Sequence, residues 1–151
     1  MRTRIAVLWL VLCAASPAHA QNLSPQQRQA ILGYQLTLPG AEHLITAMQA
    51  MTAYLISLPD YQERMRKSAT MTAADRIAQL ESDPKAAEIL KQNNLTARDY
   101  LIGVPALRMA LMAAQGASAP NIVASPANVA FAKANLTQLK PKMDAADGIR
   151  R

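Results

Sequence analysis

Few residues in this 151-residue chain can do chemistry, and their positions make them fewer still. The single cysteine, Cys13, and one of the two histidines, His19, fall within the first 20 residues, a segment with the pattern of a removable export signal. His43 is then the only histidine left. A catalytic zinc site needs three protein ligands, and Glu42, adjacent to His43, projects from a different side of a helix. Methionine is the one enrichment: of eight, seven remain once Met1 is removed. Met48 and Met51 lie three residues apart, as do Met109 and Met112, so each pair shares a helix face. Thioethers so paired could take Cu(I), with His43 one or two turns earlier. His43 and a methionine of the 109–112 stretch could also ligate a non-covalent haem. The simpler role for both pairs is filling an apolar core, because they sit in the two most apolar stretches of the chain.

Arg108 is the only charge between Tyr100 and Ala114. A cation on so apolar a helix calls for a carboxylate from another helix, or else faces a pocket and takes an anionic ligand group. Tyr100, Arg108, Met109 and Met112 are therefore the candidate ligand-binding residues, and His43, Met48 and Met51 the candidate metal ligands. Catalytic signatures do not occur: there is no Gly-x-Ser-x-Gly, no His-Glu-x-x-His and no phosphate-binding loop. The carboxylate pairs Glu81/Asp83 and Asp144/Asp147 lie in charged stretches that suit a solvated face better than acid–base work. A non-catalytic protein without a cofactor is expected.

Composition narrows the class further. Hydrophobic residues make up 51%, too many for default disorder, while aromatics at 4% leave little for stacking on bases. Arg2 and Arg4 precede the apolar run Ile5–Leu12, and Ala18-His19-Ala20 supplies small residues before a cut at Gln21. The run is too short to span a membrane. Lipidation at Cys13 is the rival reading, but Leu12 is a poor residue at that cut. Removing 20 residues from 151 leaves 131, one domain's worth, and removing Arg2 and Arg4 leaves 14 basic residues against 10 acidic ones. The expected location is the periplasm or the exterior, which sets nucleic acid aside. Arg64, Arg66 and Lys67 form the one internal basic cluster and could touch an anionic surface.

The elements that must position these residues read as helices throughout. β-branched runs and hairpin dipeptides are absent, whereas helix starts are dense. Ser24-Pro25 with Gln27, Thr72 with Asp75, Asp83-Pro84, Thr96 with Asp99 and Ser125-Pro126 are cap-like starts. Leu44, Met48, Met51, Leu55 and Leu58 form one helical stripe; Val129, Ala132, Leu136, Leu139 and Met143 form another. The expectation is an all-α bundle of about five or six helices in one domain over 21–151. Its centre is an apolar helix near 97–115, interrupted at Gly103 and kinked at Pro105. Further expectations are a break at Leu38-Pro39-Gly40, a last helix ending or bending near Lys140 before Pro141, and a frayed tail from Asp144.

Leu23-Ser24-Pro25-Gln26-Gln27 and Leu95-Thr96-Ala97-Arg98-Asp99 loosely resemble the Leu-Thr-x-x-Gln segments of small helical periplasmic chaperones. Ser stands for Thr in the first and Asp for Gln in the second. Capping boxes account for both segments, so no function is carried over. The functional expectation is an exported helical protein with a binding or interaction role. One alternative is a chaperone-like or stress protein taking apolar segments on a Met-lined surface; another is a copper or haem binder.

Overall fold

The computed structural model describes residues 23–120 and 122–148. The expected export segment, with Cys13, lies outside the described residues. Those described form an all-helical fold of eight helices, more than the five or six expected. In chain order they are α1 (Pro25–Gly33), α2 (Leu38–Ser57), α3 (Tyr61–Thr70), α4 (Ala73–Ser82), α5 (Pro84–Gln92), α6 (Ala97–Ala114), α7 (Pro126–Ala134) and α8 (Leu136–Gly148).

Side-chain caps start most of them. Full capping boxes open α1 (Ser24/Gln27), α4 (Thr72/Asp75) and α6 (Thr96/Asp99), each satisfying two backbone amides that the first turn leaves open. Thr37, Asp83 and Ser125 cap α2, α5 and α7. Two stops use a left-handed residue: Asn94 (φ 55°) follows α5 and Gly116 (φ 87°) follows α6.

α6 is the centre expected from its composition, packing against α1, α2, α4, α5, α7 and α8. Leu107 of α6 meets Leu44 and Met48 of α2 and Leu139 of α8 in the main core, all four essentially fully buried. A second cluster joins Ala47 and Met51 of α2 to Ile89 and Leu90 of α5. A third joins Ile31 of α1 to Ala106 and to Val123 of the loop before α7. Asn128, 3% exposed, ties the far ends of the chain together. Its Oδ1 accepts from the Leu36 amide at 3.1 Å, and its Nδ2 donates to the Tyr34 carbonyl at 2.7 Å.

The sequence and the structure differ at prolines and at one glycine. α6 is one unbroken helix through Pro105, where a kink was expected. The ring costs the bond to the Leu101 carbonyl, but burial of Gly103, Ala106 and Leu107 fixes the helix on both sides of it. Gly103 does not interrupt the helix but serves as a contact point: a Cβ there would lie 2.8 Å from Leu44 Cδ1 and 2.9 Å from Tyr34 Cζ. The break expected at Leu38–Gly40 falls earlier, at residues 34–37, because Pro39 fits the first turn of α2 once Thr37 caps it. The single last helix is instead two, divided at Asn135, whose side chain donates to the Phe131 carbonyl at 2.9 Å. α8 passes through Pro141 to Gly148, held by burial of Met143 and Ala146 where a frayed tail was expected. Among the described residues no helix is long and apolar enough to cross a membrane.

Candidate functional site

Neither α3 nor α4 has a fully buried residue, but α3 also lacks a side-chain cap bond at its N-cap, Asp60, where α4 has a full capping box. The Asp60 carboxylate instead accepts from Arg64 Nε at 2.9 Å, one turn along. Met65 is 43% exposed. Behind α3 lies a cavity of ≈ 190 Å³. Its apolar wall comes from Met51 and Leu55 of α2, Met65 of α3, Leu80 of α4, and Leu101 of α6.

The polar groups of this cleft fall into two sets. On one side, Asp83 caps α5 by accepting from the amides of Lys85 (3.0 Å) and Ala86 (3.1 Å). The Tyr54 hydroxyl donates to it at 2.9 Å, and Arg64 Nη1 stands 3.8 Å away. Burial works to raise the Asp83 pKa, but the Ala86 amide, the Tyr54 hydroxyl, the Lys85 amide and the Arg64 charge together hold it below its ordinary value. The same hydrogen bond is the main reason the Tyr54 hydroxyl is raised. Asp83 is thus an engaged, ionised structural group. On the other side stands Arg76 of α4, whose Nε is buried with no hydrogen-bond partner among the described residues. Burial of an unpaired polar atom is costly, and Arg108 Nε is the other such atom among the described residues.

The residues singled out from the sequence separate in space. Arg108 turns away from the cleft. Its Nη2 donates to Asp147 Oδ1 of α8 at 2.7 Å, the cross-helix carboxylate its position calls for. The same nitrogen lies 3.7 Å from Met48 Sδ. Met48 is therefore core, with a permanent cation already against its sulfur, which disfavours a second cation there. His43 is half-buried, and among the described residues no three or more of His, Cys, Asp and Glu cluster as metal ligands. Met109 packs onto the Ile31–Ala106–Val123 cluster, and Met112 is half-buried. Met51 and Tyr100 do line the cleft. No family model, curated protein or solved structure matches this chain.

The basic cluster also divides. Arg64 faces Asp60 and Asp83, while Arg66 and Lys67 are exposed. Sequence reasoning missed Arg76, Leu80 and Asp83 as wall residues. Their spacing of four and three residues did place them on one face of α4 and its exit. What stayed hidden was that α3 stands off that face and leaves a space.

Proposed function

We propose that this chain is an exported, non-catalytic binding protein whose cleft beneath α3 takes an apolar group. The observation that carries the reading is an apolar cleft covered by a helix that buries none of its own residues. Ligand pockets are typically apolar with a few placed polar groups, and this lining fits that description. Burying a methyl-rich group against Met51, Leu55 and Leu80 would gain about 25 cal/mol per Å² of apolar surface removed from water. The one carboxylate of the wall, Asp83, is engaged by two amides, a hydroxyl and an arginine, which favours a structural role over proton transfer. The basic charge of Arg66 and Lys67 on the outer side of α3 suits an anionic surface or partner.

Exposure of Met65 on this cleft favours a second reading, in which the apolar group belongs to a peptide segment. A flexible thioether adapts to varied apolar guests. Titration with N-phenyl-1-naphthylamine, an uncharged fluorescent probe, tests the site. Saturable micromolar binding that weakens at least tenfold in Leu80→Asp, with helical content kept, is expected. Binding unchanged in that variant places the probe elsewhere and removes the proposal. Competition by an apolar peptide against an equally apolar small molecule separates the two readings.

A further inference from the structure

A second cavity, ≈ 280 Å³, lies on the other side of Arg76, between α1, α4 and α6. It shares only Arg76 and Leu101 with the cleft beneath α3. Ile31 of α1, Ile77 of α4, and Leu101 and Ile102 of α6 supply an apolar wall. Two arginines line it, Arg76 and Arg98, and no aspartate or glutamate does. Neither guanidinium has an ion pair or hydrogen bond to a described residue, and the Arg76 Nε is buried without a partner among them. Of the other half-buried arginines, Arg64 pairs with Asp60 and Arg108 with Asp147, while Arg28 has no ion pair among the described residues. Half-buried Arg76 and exposed Arg98 thus bring two guanidinium groups to one apolar wall that holds no carboxylate among its lining residues.

We propose that this cavity is a binding site for a small amphiphile: a short acyl chain against Ile31, Ile77 and Ile102, with a terminal anionic group held by Arg76 and Arg98. Charge complementarity selects the anion, because an arginine binds a carboxylate or phosphate through paired, charge-assisted hydrogen bonds. The apolar wall selects the chain. The volume, just under the ~300 Å³ at the lower end of small-molecule pockets, selects a ligand with one short chain. A free fatty acid and the phosphate of a single-chain lipid share this chemistry.

The test is calorimetric titration of the purified protein with decanoate, decanoyl lysophosphatidate and decanol, each below its micellar concentration. One or both anions should bind with a micromolar Kd, with decanol at least tenfold weaker. Preference for decanoate assigns the site to free fatty acids, and preference for the lysophosphatidate to lipid headgroups; either supports it. Arg98→Gln, at an exposed position that should not affect folding, should weaken the preferred anion at least tenfold. Met65→Gln, which touches only the cleft beneath α3, should leave that affinity within twofold. Decanol binding as tightly as the anions, or Arg98→Gln binding like the wild type, overturns the proposal. Loss of anion binding in Met65→Gln instead of Arg98→Gln moves the ligand to the other cleft and equally overturns it.

Discussion

Replacing Gly103 with alanine sets two effects of opposite sign against each other. In an exposed helix interior, glycine to alanine gains up to about 1 kcal/mol from backbone entropy and propensity. At Gly103 the added Cβ would lie 2.8 and 2.9 Å from the two Leu44 methyls and 2.9 Å from Tyr34 Cζ. Leu44 is 0% exposed and cannot yield outward, and the Tyr34 ring is packed against the same core. Overpacking a closed core costs roughly 1–3 kcal/mol, and collisions on two sides put this site in the upper half of that range. After the propensity gain, the net is a loss of about 1–2 kcal/mol. Gly33, with nothing within 4 Å of its Cβ position and no positive φ, is the control. Gly33→Ala should be neutral or stabilising by up to about 1 kcal/mol. Urea denaturation followed by circular dichroism reads both values from the transition midpoints. A Gly103→Ala protein as stable as Gly33→Ala would refute the close approach of α6 to α2.

Other outcomes follow from the same geometry. Leu107→Ala, at a fully buried position at the centre of α6, should cost about 2–5 kcal/mol; thermal denaturation showing a change under about 0.5 kcal/mol would put that helix at the surface. Asn128→Ala leaves the Leu36 amide and the Tyr34 carbonyl unpaired and should cost about 2–4 kcal/mol by the same assay. Asp147→Asn weakens a partly exposed pair with Arg108; it should cost about 1 kcal/mol or less, shrinking further in high salt. Because the fold lowers the pKa of Asp83, its contribution is present above the unfolded value near 3.9 and is lost as pH falls through the lower native value. The melting-temperature gap between the wild type and Asp83→Asn should therefore close on acidification below about pH 4, and a gap that stays constant would show that the carboxylate's charge is not involved.

Local signals were legible in the sequence because helix starts are written in a few adjacent residues. Ser24/Gln27, Thr72/Asp75 and Thr96/Asp99 all form the boxes their spacing implies, and the Leu44–Met48–Met51 stripe is buried as read. Helix interiors were harder to judge. Pro105 reads as a kink and Pro141 as an end or bend in sequence, but tertiary burial on both sides outweighs one lost hydrogen bond. The break between α7 and α8 at Asn135 is masked in sequence by the apolar stripe from Val129 to Met143 that runs across it. The candidate site was less legible still. Of the two readings of Arg108, a carboxylate on another helix or an anionic ligand, the structure shows the Asp147 pair, whereas Arg76 and Arg98 look like ordinary surface arginines until the fold brings them to one cavity lined by no acid. Pairing between helices is a property of tertiary packing, and a single sequence does not display it.

Asn128 has a consequence for the order in which this fold can close. Its two bonds join residues 92 and 94 positions apart, and Lys142 reaches Glu42 across 100 positions. The segment after α1 thus waits for the last quarter of the chain before its backbone is satisfied. Contacts this distant in sequence form late, after local helices have appeared. A chain emerging N-terminus first could close the Ala47–Met51–Ile89–Leu90 cluster early, whereas the Leu36 amide and the Tyr34 carbonyl would find Asn128 only once α7 had emerged.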